Sequence, residues 1–181
     1  SFSILGPGTR CEVELPGSLP AVEADEGQIS QVIHNLVINA DQAMPDGGVI
    51  RITAGVAEGQ GSGREGRFLR IRVSDTGKGI EEKNLSKVFD PYFTTKKEGS
   101  GLGLATVYSV VKNHGGFIEL ESNLGKGTAF SVYLLVTGKS PALRELGKDI
   151  DLERGEGRIL LMDDEEMVRG AAATILRELG Y

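Results

Sequence analysis

Residues 67–80 read Arg67-Phe68-Leu69-Arg70-Ile71-Arg72-Val73-Ser74-Asp75-Thr76-Gly77-Lys78-Gly79-Ile80. Phe68, Leu69, Ile71 and Val73 supply the apolar positions of a strand, and the run then breaks into a glycine loop headed by a carboxylate. A strand that ends in Asp-Thr-Gly is, taken alone, an ordinary turn. Its neighbours along the chain decide the reading. Gly-x-Gly recurs eight times in the chain, at 6/8 and 59/61 among other places that read as plain loops, so order and context must carry the argument rather than any one triplet.

Upstream, Arg10 to Leu15 alternates as a half-buried strand, and Pro16-Gly17 turns it toward a short extended piece over 20–24. Asp25 has the character of an N-cap. From Gln28 to Met44 the apolar residues Ile29, Val32, Ile33, Leu36, Val37 and Ala40 fall on one helical stripe, which Pro45-Asp46-Gly47-Gly48 ends. Val49 to Val56 reads as a strand, joined through a glycine-rich loop over 57–66 to the strand that ends at Asp75, a hairpin arrangement. Downstream, 81–88 suggests a short helix and 89–100 a loop without period. Gly101 to His114 has helical spacing and stops at Gly115-Gly116. Phe117 to Glu121 and Thr128 to Val136 read as two strands joined by Asn123-Leu124-Gly125-Lys126-Gly127.

The composition sets outer limits. The chain has 181 residues, a formal charge of -6, 39% apolar and 25% charged residues, which is globular and not disordered, collagenous or coiled-coil. Its 26 glycines, about twice the usual share, belong in special loops because apolar content is normal. A single cysteine and two histidines leave no disulfide framework and make a zinc site improbable. No basic stripe offsets the acidity, which argues against nucleic acid. No apolar run approaches a membrane span, and Ser1-Phe2-Ser3 carries neither Met nor leader, so the expectation is a soluble, excised segment from a reducing compartment.

Four features in order carry chemistry. Asn35 and Asn39 are four residues apart and stand one above the other on a helix edge beside the apolar stripe. Their amide oxygens suit a hard cation that already holds phosphate oxygens and water, as Mg2+ is usually bound, with Asn39 the metal residue and Asn35 its phosphate-side neighbour. Asp75 can accept a hydrogen bond from an exocyclic amine such as adenine N6, while Gly77 and Gly79 let backbone approach the base. Gly99-Ser100-Gly101-Leu102-Gly103-Leu104 precedes a helix, whose free N–H groups and dipole form an anion site. Lys96 or Lys97, just before it, can close over a terminal phosphate. Thr128 either bonds a phosphate or simply begins a strand.

This ordered set, over roughly residues 10–136, resembles the ATP-binding domain of sensor histidine kinases, a fold shared with gyrase, mismatch-repair and heat-shock chaperone ATPases. Gln31 to Ala43 looks like the family's N box, 75–80 like its first glycine box, Phe89-Asp90-Pro91-Tyr92-Phe93 like the F box, and 99–104 and 125–128 like the later glycine boxes. The resemblance implies an α+β, two-layer α/β sandwich of the Bergerat type, a mixed sheet covered on one face by three helices. It implies ATP and Mg2+ as cofactors. The ATP-binding set is then Asn35, Asn39, Asp75, Gly77, Gly79, Ile80, Lys96, Gly99, Gly101, Leu102, Gly103, Leu104 and Thr128, with Asn35 and Lys96 catalytic, Lys96 favoured over Lys97, and Asn39 on the metal. Tyr92 is a weakly placed candidate for stacking on adenine.

Hydrolytic relatives carry Glu at the position of Asn35. Asn cannot take a proton from water, so efficient hydrolysis should be lost and the phosphoryl group should leave for a better nucleophile. In histidine kinases this is a histidine on a dimerisation hairpin, a partner that this sequence does not contain, since His34 and His114 read as structural or surface residues. Residues 137–157 read as a linker. Ile159-Leu160-Leu161-Met162-Asp163-Asp164-Glu165-Glu166 resembles the first strand and helix of a response-regulator receiver domain, making 158–181 a truncated receiver and the parent a hybrid kinase. The expected organisation is thus a catalytic domain over 1–136, linker and receiver start, with a receiver or response regulator as second partner. A cytoplasmic location is expected, without direct membrane contact, in a parent that can itself be anchored. A serine kinase of the anti-sigma type and a nucleotide-sensing module without transfer activity are the alternatives.

Overall fold

Thr9–Glu14 (β1), Glu26–Gln42 (α1), Gly48–Gly59 (β2), Gly66–Asp75 (β3), Glu82–Leu85 (α2), Gly103–Asn113 (α3), Phe117–Asn123 (β4) and Gly127–Leu135 (β5) succeed one another in the computed structural model, which describes residues 5–59, 65–96 and 99–137. The five strands form one mixed sheet in the order β1-β2-β3-β5-β4, with β1 parallel to β2 and every other pair antiparallel. The parallel pair results from the connection, because α1 intervenes between β1 and β2 and carries the chain back before β2 begins.

Alternation along the strands gives the sheet two unlike faces. Ile50, Ile52, Val73, Phe130 and Val132 point to one side, where they form a single core with Val32, Leu36, Val37 and Ala40 of α1 and Val107, Val110 and Val111 of α3. Each of the Val, Leu, Ile and Phe side chains among them is worth about 1.5–3 kcal/mol when removed from water, so this face holds the domain together. The other side carries ion pairs across strands, Arg72 to Glu121 at 2.9 Å and Arg51 to Glu12 at 2.9 Å, which are solvated and contribute little. The result is an α+β sandwich in which α1 and α3 form the helical layer; the third helix, α2, is a single turn.

Capping fixes where α1 starts. The Asp25 carboxylate accepts from Gln28 N at 2.8 Å, while Asp25 N donates to Nε2 of His114, whose Nδ1 lies 2.8 Å from Val110 O. His114 thus ties the end of α3 to the start of α1 with both ring nitrogens engaged, and His34 is exposed on α1.

Several element boundaries differ from the sequence expectation, and two of the differences have a clear physical cause. The strand expected to stop at Val56 continues to Gly59, because Ala57 and Glu58 pair with Phe68 and Arg67 and cross-strand bonds outweigh the weak intrinsic preference of a glycine-rich stretch. The helix expected from Gly101 begins at Gly103, since Gly101 has φ +69 and Leu102 serves as the N-cap. Val136, at the end of the expected domain, bridges Val22 of the extended piece before α1. Lys97, most of the expected linker and the whole receiver-like tail lie outside the described residues.

Candidate functional site

The loop after β3 is built into the end of α1 and the β4–β5 hairpin. Lys78 N donates to Ala43 O, and Lys78 O accepts from Gly125 N at 2.8 Å. A Cβ on Gly77 would lie 2.7 Å from Ala43 O, and Gly79 has φ +71 with its missing Cβ directed into the carbonyl of Asn123. Both glycines are therefore required by the protein's own close approach, before any ligand is considered.

That loop fixes Asp75. Its Oδ1 accepts from Gly77 N at 2.8 Å and from Thr128 N at 3.3 Å, leaving Oδ2 with no bonding partner among the described residues. Burial raises the carboxyl above its ordinary pKa, and the two backbone N–H groups oppose that rise. Thr128 is buried, belongs to β5 and sits beside Asp75, with its Oγ1 2.9 Å from Ser122 Oγ.

A second group of residues rises along α1 to its C-cap. Asn35, Asn39 and Ala43 succeed one another at four-residue intervals, about 6 Å per step, and all three line one cavity of about 670 Å³ together with Asp75 and Thr128. Asn35 Nδ2 donates to Gly103 O at 3.4 Å, joining α1 to the start of α3. Lys96 Nζ donates to Asn39 Oδ1 at 3.0 Å and to Gln42 Oε1. Desolvation, and secondarily the charge of Lys78, lower the Lys96 pKa. The α3 N-terminus has no side-chain cap; Gly103 and Leu104 line the cavity, and the N–H groups of residues 103–105 have no hydrogen-bond partner among the described residues. Such a terminus with a lysine nearby has the electrostatics to receive an anion.

Residues 24–138 match the family model described as "Histidine kinase-, DNA gyrase B-, and HSP90-like ATPase". The chain belongs to this family. A sensor kinase of Brucella abortus (strain 2308), CckA, is 35% identical over 98% of this chain and 21% of its own length. The sensor histidine kinase ZraS of Escherichia coli (strain K12) is 44% identical over 68% of this chain and 25% of its own. Among solved structures, the catalytic domain of histidine kinase ThkA superposes with a TM-score of 0.57 at 34% identity, over 70% of this chain and 78% of that one. Full-length ShkA in complex with AMPPNP gives 0.62 at 26% identity, over 96% and 34%. The chain spans about a fifth to a quarter of the length of these curated relatives.

Within this ATPase-family domain the cavity brings together Asn35, Asn39, Asp75, Gly79, Ile80, Lys96, Gly99, Gly101, Gly103, Leu104 and Thr128. Gly77 and Leu102 stand off its wall: Gly77 is packed behind Asp75, and Leu102 is exposed as the cap of α3. Thr128 lies in the first residues of β5 and bonds to Asp75, away from the Asn39–Lys96 pair. Tyr92 is 76% exposed and absent from the wall, so the sequence-based suggestion that it stacks on a base is not supported; its φ of +66 and the bond from its N to Gly101 O turn it outward. Phe93 and Phe130 line the cavity instead. Gln42, three residues after Asn39, was legible from helical spacing; Phe130 reads as core from strand alternation alone.

The donor set tests whether a metal fits. Among the described residues no cluster of three or more His, Cys, Asp or Glu is placed to hold one. Amide oxygens on α1 suit only a hard cation that brings phosphate oxygens and water with it, so the residues fit Mg2+ delivered as a nucleotide complex. No helix among the described residues is long and apolar enough to cross a membrane.

Proposed function

We propose that this chain is the ATP-binding catalytic domain of a hybrid sensor histidine kinase, and that it passes the γ-phosphoryl group of Mg-ATP to a histidine on a dimerisation hairpin elsewhere in the protein. The observation that carries this is one cavity lined by a half-buried carboxylate, a ladder of amides along α1, a lysine and an open helix N-terminus. Asp75 Oδ2 accepts from the adenine amine, and the α3 amides receive phosphate oxygens. Mg2+, held by Asn39 Oδ1 and phosphate oxygens, would neutralise charge on the triphosphate. Lys96 cannot share that oxygen with a metal and turns to the terminal phosphate. Asn35 has an amide where a hydrolase needs a proton acceptor, and its Nδ2 is engaged with Gly103 O, so water is not activated.

The partners implied are the histidine hairpin and a receiver domain or response regulator. The match to the Brucella abortus sensor kinase runs over 98% of the chain and so extends past the catalytic domain into 158–181, whose apolar-then-acidic sequence is the basis for reading it as the start of a receiver. A domain of this kind works in the cytoplasm, whether or not its parent is anchored. The test is the fate of γ-labelled Mg-ATP with the chain alone: the label should stay on intact nucleotide over many minutes. Steady release of inorganic phosphate would contradict the role given to Asn35.

A further inference from the structure

Ser122 stands outside the cavity wall, yet its hydroxyl is the junction of three hydrogen bonds that join the first and last glycine loops. Its Oγ accepts from Ile80 N at 2.8 Å, lies 3.1 Å from Gly127 O, and lies 2.9 Å from Thr128 Oγ1. A hydroxyl has one proton to give. Gly127 O can only accept, so all three bonds exist at once only if Ser122 donates to Gly127 O and Thr128 donates to Ser122. The Thr128 proton is then committed to Ser122, and Thr128, which lines the cavity, has only lone pairs of its hydroxyl left to offer a ligand there. Thr128 N already donates to Asp75 Oδ1, which leaves Asp75 Oδ2 as the second acceptor at the same place.

From this geometry we infer that Ser122 is a specificity-positioning residue: by holding the Thr128 proton away from the cavity, it makes the base end a surface of acceptors only, which takes a 6-amino purine and rejects a 6-oxo purine. A purine with an exocyclic amine offers two N–H groups to this pair, whereas a 6-carbonyl meets lone pairs on both sides and cannot be satisfied. Without Ser122 the Thr128 hydroxyl can rotate and donate to a 6-carbonyl, so discrimination relaxes while phosphate and metal contacts are untouched. The inference rests on the reading of Asp75 as the residue that meets the base.

The experiment is calorimetric affinity of the full chain for Mg-ATP and Mg-inosine triphosphate, which differ at the 6-position of the base, in the wild type and in Ser122→Ala. The wild type should prefer ATP by at least about 10-fold, and Ser122→Ala should lose most of that ratio, chiefly by gaining affinity for inosine triphosphate. Ser122→Thr, which keeps the hydroxyl, should retain the preference, and Ser122→Cys, of similar size but a weak acceptor for the Thr128 proton, should lose it even if the alanine variant folds badly. In a Thr128→Val background, Ser122→Ala should change the ratio no further, because the residue acts through Thr128. A variant that weakens both nucleotides equally, or leaves the ratio unchanged, overturns the inference while leaving Asp75 in its role. A wild type that binds both nucleotides equally overturns the role of Asp75 and this inference together.

Discussion

Replacing Asp75 by Asn separates the recognition of the base from the stability of the fold. Asp75 Oδ1 is held by two backbone N–H groups, Gly77 at 2.8 Å and Thr128 at 3.3 Å. An Asn side chain can keep both bonds only with its oxygen in that position, which turns its NH2 group toward the cavity. The acceptor offered to an adenine amine becomes a donor, and a charge-assisted hydrogen bond of about 1.5–3 kcal/mol is lost, or about 10- to 150-fold in ATP affinity. Stability should move the other way. Burial raises the Asp75 pKa, so the folded state holds its proton more tightly than the unfolded chain. Its cost is absent below the unfolded pKa, grows as pH rises through the folded pKa, and is fully present at neutral pH, where Asn avoids it. Asp75→Asn should thus bind ATP weakly yet melt no lower than the wild type at pH 7, with any advantage vanishing in acid. Calorimetry and thermal unfolding on the same preparation measure both. An unchanged dissociation constant would place base recognition elsewhere, and a lowered melting temperature at neutral pH would show that the carboxylate stabilises the loop.

Asn39→Ala should abolish the Mg2+ contribution to ATP binding and phosphoryl transfer without lowering the melting temperature, since the side chain lies off the apolar stripe; full transfer in the variant would refute its metal role. Lys96→Met should weaken ATP by about 10-fold and ADP by less, the loss of one charge-assisted contact to a terminal phosphate, and equal effects on the two nucleotides by calorimetry would remove that contact. Gly79→Ala combines a strained φ of +71 with a Cβ driven into the Asn123 carbonyl, so it should destabilise the domain by more than about 1 kcal/mol in denaturant unfolding; an unchanged midpoint would mean the loop can move aside.

Much of this molecule is legible along the chain because its signals are local. The stripe from Ile29 to Ala40, the Asp25 cap and Pro45 define α1 within two residues, since helix period, cap and breaker agree. The Ala57–Gly59 end of β2 escaped because nothing in its own composition announces a strand; its partners 66–68 lie across the hairpin. The same division holds for the site. Asn35, Asn39 and Asp75 are visible as polar residues at fixed offsets from an apolar pattern. Ser122 is not, because its bonds run to Gly127 and Thr128, across the turn into β5, and to Ile80, some forty residues away. The Lys96–Asn39 bond spans 57 positions and is set by the loop before α3, which has no period to read.

Whether this domain phosphorylates histidine is decided by one measurement: the chain incubated with γ-labelled Mg-ATP and a purified histidine-bearing two-helix hairpin of a sensor kinase, with identification of the labelled amino acid. The expected result is label on the hairpin in an acid-labile, base-stable linkage, lost when Asn39 is replaced by Ala. Acid-stable label on serine, or bound ATP that never transfers to any hairpin that docks on the chain, would contradict it.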